Sequence, residues 1–282
     1  MIAITGATGH LGKLVIDDLL KRGVKPQTIA AIVRDRAKAN DLVSKGVEVR
    51  TAAYMAPGDL EKAFQGVDKL LLISGSEVGQ RVAQHTNVVN AAKKAKVKFI
   101  AYTSILKADT SKMQLAVEHL ATEKVIKASG IPYVFLRNGW YIENYSEQLA
   151  PALQHGIIAG SAKDGKVSAA TRADYASAAA KVLVDTPKQN TIYELGGAAF
   201  TLSELAAVVS KVSGKKIEYK DMPAPAYADM LKSFGLPPTF ADVLADSDVG
   251  LSRGELFTES RDLEKLIDRP LGTLKSAVER GV

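Results

Sequence analysis

The feature that most limits the fold is a repeated switch of hydrophobic period along the chain. Short strand-like runs (MIAIT, TIAAIVR, VEVRTA, DKLLLIS, KFIAYTS, PYVFLRNG and NTIYELGG), most of them largely apolar, alternate with stretches whose apolar residues recur every three or four positions. A strand that is apolar on both faces must be covered on both faces, and intervening helices do this. The pattern predicts an α/β fold with a doubly wound parallel sheet, its crossovers right-handed. The first helix is read in HLGKLVIDDLLKRG, with Leu11, Leu14, Val15 and Leu19 on one face and a glycine stop at Gly23. A long helix is expected over residues 77–96, and a strongly periodic one in LAVEHLATEKVIKASG.

The last third changes character. TLSELAAVVSKVSG opens with Thr201 and Glu204 at capping-box spacing. KKIEYKDMP predicts a short strand, and residues 226–282 predict short helices broken by Pro237, Pro238, Gly250 and Pro270.

Composition removes several function classes. The chain has no cysteine, which excludes disulfides, thiol nucleophiles and thiolate metal sites and suits a reducing cytoplasm. His10, His85, His119 and His155 lack metal-ligand spacing, so no metal site is expected. The net charge is +6, but its densest cluster, KKAKVK, reads as a lysine-rich helix end, and no nucleic-acid partner is expected. No apolar run has the length of a membrane span, and the N-terminus lacks the marks of a signal peptide.

Directly after the first strand comes TGATGHLG, with Gly6, Gly9 and Gly12 at three-residue spacing. The first glycine permits a tight turn, the second lets backbone approach a pyrophosphate, and the third lets the helix pack closely on the sheet. The phosphates then meet the free N–H groups at the helix N-terminus. The expected cofactor contacts in this loop are Gly6, Ala7, Thr8, Gly9, His10, Leu11 and Gly12. The second strand ends in Arg34 and Asp35. Asp35 would accept from a ribose 2′-hydroxyl, whereas Arg34 would hold a 2′-phosphate. The arginine at the strand tip favours NADP(H), and Lys38 adds a positive charge nearby. The expected organisation is an NADP-binding Rossmann domain, 1–145 with about 168–198. A smaller substrate lobe would take about 146–167 with 199–282.

These residues resemble the short-chain dehydrogenase/reductase superfamily, specifically its atypical NmrA-like branch. The likeness runs through TGATGHLG, VRD, SGSEVGQR, FIAYTS, TEKVIKASGIPY, LRNGWYIENY, ATRADYA and LADSDVG. Within that branch the chain is similar to the type-2 NAD(P)H:quinone oxidoreductases along nearly its whole length. The resemblance implies two-electron reduction of a small quinone by direct hydride transfer, without flavin. A homodimer is compatible with it. An NADP(H)-sensing regulator without turnover is the alternative, because the branch contains such members.

The Tyr-x-x-x-Lys pair common in the superfamily is missing: none of the nine tyrosines has a lysine four positions later. Its counterparts are Leu115 and His119. A quinone reduced by hydride leaves a phenolate, a far weaker base than the alkoxide from a ketone, so a hydrogen-bond donor can suffice. Asn138 is the expected donor, with His119 as a second. Trp140 and Tyr141 complete the catalytic set, offering flat faces to a flat substrate, although Trp140 reads equally as core and His119 as an ordinary helix histidine. Ser74, Gly75 and Ser76 and then Tyr102, Thr103 and Ser104 are expected along the cofactor groove. Arg137, Asn138, Gly139, Trp140, Tyr141 and Ile142 are expected at its nicotinamide end.

Overall fold

A computed structural model describes residues 1–282. The chain runs β1 (Ile2–Thr5), α1 (His10–Lys21), β2 (Ile29–Val33), α2 (Asn40–Ser44), β3 (Glu48–Thr51), α3 (Pro57–Ala63), β4 (Lys69–Leu72), α4 (Arg81–Lys94), β5 (Phe99–Ile105), α5 (Gln114–Ser129) and β6 (Tyr133–Asn138). It continues through α6 (Glu143–Ser146), α7 (Leu149–His155), β7 (Ile157–Gly160), β8 (Lys166–Val167), α8 (Arg172–Asp185), β9 (Thr191–Leu195), β10 (Phe200–Thr201) and α9 (Leu202–Ser213). The last elements are β11 (Glu218–Asp221), α10 (Ala224–Ser233), α11 (Pro238–Ser252), α12 (Asp262–Leu266) and α13 (Leu274–Gly281).

Seven strands form one sheet in the order β3-β2-β1-β4-β5-β6-β9. Pairings from β3 across to β5 are parallel. The N–H groups of Ile100 and Leu106 reach the carbonyls of Pro132 and Asn138, a constant offset that sets β6 parallel to β5. Asn190 to Tyr133 and Gly139 to Leu195 do the same for β9 against β6. Chain order reverses at β1, which lies between β2 and β4, and in such sheets ligands bind beyond the carboxyl ends at that point. Strands β2 and β5 are buried along their whole length, β2 through an unbroken apolar sequence and β5 with Thr103 and Ser104 buried on hydrogen-bond partners.

The chain divides into two compact units. Unit 1 comprises Met1–Ser104, Glu118–Arg137 and Ala173–Tyr193; unit 2 comprises Ile105–Val117, Asn138–Arg172 and Glu194–Val282. Unit 1 has a core that includes Phe64, Leu70, Leu72, Ile100, Tyr102 and Phe135. Unit 2 has its own, which includes Met113, Ile142, Phe200, Leu205, Val209 and Leu251. Each fully buried Leu, Ile or Phe stabilises its unit by about 1.5–3 kcal/mol.

Several local expectations hold. Thr201 and Glu204 form a reciprocal capping box at the start of α9. The KKIEYKDMP strand exists as β11 and pairs in parallel with β7. Others need correction. On α1, Gly12 and Ile16 are buried while Leu14 is only half-buried, because the glycine side of the helix faces the sheet. Helix α11 does not break at Gly250 but continues to Ser252. A Cβ at Gly250 would stand 2.3 Å from Met113 Cγ, so this glycine admits a neighbouring side chain. Helix α5 is periodic, but its buried face carries His119, Thr122 and Glu123 beside Ala116 and Ile126.

Candidate coenzyme and substrate sites

In unit 1 the turn after β1 is held from below. Thr5 is fully buried, and its Oγ1 donates to the Leu71 carbonyl at 3.2 Å and accepts from the Ile73 N–H at 3.0 Å. Gly6 then takes φ +61°, a left-handed conformation that glycine adopts without strain. A Cβ at Gly12 would lie 2.4 Å from the Gly6 carbonyl oxygen and 2.8 Å from Ala7 Cα, so only glycine allows the loop to rest on the helix. Gly9 caps α1 without any side-chain hydrogen bond, and the first turn has no acidic residue. The N-terminal N–H groups and the positive end of the helix dipole are therefore uncancelled by a side chain. Ala7 and Leu11 are buried, while Gly9 and His10 are exposed and Thr8 is half-buried.

At the tip of β2 the Arg34 side chain is 73% exposed and its NH1 donates to Glu77 Oε1 at 2.8 Å. Asp35 accepts from the Ala37 N–H at 2.9 Å and caps the short turn that follows. Glu77 lies in the loop after β4, as do Ser74, Gly75 and Ser76. That loop is fixed through one peptide. Gly75 N–H donates to His85 Nε2 at 3.0 Å, and its carbonyl accepts from Arg81 Nε at 2.8 Å. Arg81 also donates to Glu118 Oε2 at 2.8 Å, and Glu118 Oε1 accepts from the Gly79 N–H at 2.9 Å. Because His85 Nε2 accepts, its Nδ1 carries the proton and faces Thr122 Oγ1 at 3.0 Å. Burial first, and the Arg81 charge second, push the His85 pKa down to about 3.

The sequence reading missed Arg81, Gln84, His85, Glu118 and Thr122. Its available signal was the four-residue spacing of Arg81 with His85 and of Glu118 with Thr122, which places each pair on one helix face.

The expected groove residues at the ends of β5 and β6 divide. Thr103 Oγ1 accepts from the Ser74 N–H at 2.9 Å and supports the loop. Tyr102 is fully buried in the core, with its hydroxyl 2.7 Å from His119 Nδ1. Its reading as a groove residue gives way to a core role. His119 is 7% exposed, and burial, then the charges of Arg81 and His85, hold its pKa well below the usual imidazole range. Burial thus holds it toward its neutral form, which keeps one ring N–H as a donor. Arg137 forks onto Glu123 at 2.9 and 2.8 Å, and Ser104 Oγ donates to the same carboxylate at 2.7 Å. The Arg137 and Glu123 side chains are 4% and 0% exposed. The side chains of Arg137 and Ser104 thus fasten β5 and β6 to α5 rather than turning toward a ligand.

In unit 2 the segment after β6 is pinned by backbone bonds from Gly139 to Leu195, Ala170 to Trp140 and Ile142 to Ala170. Asn138 is 6% exposed. Its side chain hydrogen-bonds the Tyr141 hydroxyl. Its Oδ1 has no partner, the one buried side-chain polar atom in that condition. The vacant function on Asn138 is therefore an acceptor, where the sequence suggested a donor. The Tyr141 pKa is pushed up to about 12, chiefly by burial, and the Arg172 guanidinium sits 5.4 Å from its ring centre. Trp140 is half-buried and packs against the unit 2 core, as does Tyr145. Ile142 lines a cavity of about 650 Å³ within unit 2, together with Phe200, Glu204, Glu264 and Leu271.

With this geometry in view, comparison with known proteins decides the family, since residues 1–264 match the NmrA-like family. The chain belongs to the NmrA-like family. It is 55% identical to Quinone oxidoreductase 2 of Escherichia coli over 279 residues, covering 99% of this chain and 97% of that one. Its fold superposes on an NADPH-dependent quinone oxidoreductase of E. coli solved with NADPH, at TM-score 0.97 and 54% identity, covering 99% of both chains. A triphenylmethane reductase of Citrobacter sp. solved with NADP(H) gives TM-score 0.95 and 43% identity over the whole of both chains. No helix of this NmrA-like chain is long and apolar enough to cross a membrane.

Proposed function

We propose that this chain reduces quinones by two electrons at the expense of NADPH and without flavin. The observation that carries the reading is the end-to-end match, at 54% identity and TM-score 0.97, to a quinone oxidoreductase solved with NADPH. The alternative of a sensor without turnover loses its support, because the relatives matched along the whole chain are an oxidoreductase and a reductase.

The residues present fit the coenzyme. A bare turn at Gly6 and an uncapped helix N-terminus at Gly9 suit a pyrophosphate. Arg34 would take the 2′-phosphate, and the Ser74–Ser76 backbone would flank the adenosine. Bound NADPH supplies the hydride. In unit 2, Asn138 Oδ1 needs an N–H or O–H partner. A carboxamide N–H or the hydroxyl of a hydroquinone meets that need. Trp140 and Tyr141 offer aromatic surface to a flat acceptor. In this reading the remaining proton comes from water, which suits a phenolate and not an alkoxide. A cytoplasmic site of action and a homodimer belong to the same proposal, and sedimentation measures the second.

The test is NADPH oxidation by the purified protein with and without a small benzoquinone. The protein should be colourless, active on benzoquinones and inactive on simple ketones. Tight NADPH binding with no acceleration by any quinone would overturn the reading.

A further inference from the structure

The Arg34–Glu77 pair has a position that its exposure does not reveal. Arg34 follows β2 and Glu77 follows β4, and these are the two neighbours of β1. The 2.8 Å bond between them therefore spans the end of β1, where the glycine turn begins. Glu77 is also fastened from behind. Its Oε2 accepts from Gln84 Nε2 at 2.7 Å, and Gln84 is only 5% exposed. A carboxylate with one oxygen on a buried anchor and the other on a guanidinium is held in place, not free to swing into solvent. The glutamate thus presents a fixed negative charge to the one arginine at the β2 tip.

We infer that Glu77 is a specificity-determining residue that works through Arg34. It supplies the anion that Arg34 holds when no 2′-phosphate is present, and so lowers the preference of the chain for 2′-phosphorylated coenzyme. This inference rests on the NADPH reading above. A dianionic 2′-phosphate must share or displace the Glu77 carboxylate on the guanidinium, and it does so next to a like charge. A coenzyme that lacks the 2′-phosphate leaves the pair intact. The consequence is a weaker grip on NADP⁺ than Arg34 alone would give, which favours product release.

The probes are adenosine 2′,5′-bisphosphate and adenosine 5′-monophosphate, which differ only in the 2′-phosphate. Their binding to wild type, Glu77→Gln, Arg34→Ala and the double variant is measured by calorimetry. An exposed ion pair is worth up to about 1 kcal/mol, so Glu77→Gln should tighten the bisphosphate by about fivefold and leave the monophosphate unchanged. In the Arg34→Ala background the same substitution should have no effect. Unchanged or weakened bisphosphate binding in Glu77→Gln would overturn the inference, as would equal tightening of both probes. Failure of wild type to bind either probe or NADPH would instead sink the coenzyme reading itself.

Discussion

Gly12→Ala isolates the close approach on which the coenzyme turn depends. The added carbon would lie 2.4 Å from the Gly6 carbonyl oxygen, 2.8 Å from Ala7 Cα and 3.0 Å from Ala7 C. All three are backbone atoms, so no change of rotamer relieves the contact. Overpacking of this kind costs about 1–3 kcal/mol. Alanine returns up to about 1 kcal/mol through its better helix propensity. The net loss is about 1–2 kcal/mol, a fall in melting temperature of about 2–4 °C for a chain of 282 residues. Relief requires the Gly6–Ala7 turn to lift off α1, so NADPH affinity should fall by more than tenfold on top of the lost stability. Gly58→Ala is the control. Gly58 also lies in the first turn of a helix, α3, but a Cβ there meets nothing within 4 Å. That variant should gain about 0.4–1 kcal/mol and bind NADPH as wild type does. Thermal unfolding and fluorescence titration of both variants measure these outcomes. If Gly12→Ala melts with wild type and binds NADPH equally well, the packing argument fails.

Three other outcomes follow from the same structure. Glu123→Ala leaves Arg137 buried without its partner and should destabilise by about 3–5 kcal/mol in urea unfolding, with the quinone KM of the surviving folded protein unchanged. Asp248 has its pKa raised from 3.8 to about 6 by burial, so the native state resists its ionisation. Asp248→Asn should therefore gain stability over wild type as pH rises from about 4 to 6, keep the gain above 6 and show none below about 4; a gain that does not vary with pH would exclude this cause. Asn138→Ala should lower quinone turnover by about tenfold while NADPH still binds, and full activity would remove that residue from the site.

The sequence by itself determined the strands of the main sheet and the glycine turn after the first of them. Those features rest on local quantities: a period of two or 3.6, a glycine where φ is positive, and a Thr-x-x-Glu capping box. The runs IAIT and IAAIV are strands because their own composition demands cover on both faces. Only the tertiary structure decided which polar groups are free. Arg137 and Ser104 sit at strand ends, where the sequence suggested ligand contacts, yet both are committed to Glu123 on α5. His119 was expected beside a ligand, but it is buried with its Nδ1 on the Tyr102 hydroxyl, and burial first, then the Arg81 charge, favour its neutral form. Asn138 was expected to donate, and the Tyr141 hydroxyl on its side chain leaves it an acceptor. Arg34 was read as the holder of a 2′-phosphate, and in the structure Glu77, forty-three positions along the chain, accepts from it. Except for Asn138, whose partner is three residues on, the partner lies on another element, and a residue's own spacing carries no information about which distant group will meet it when the sheet closes.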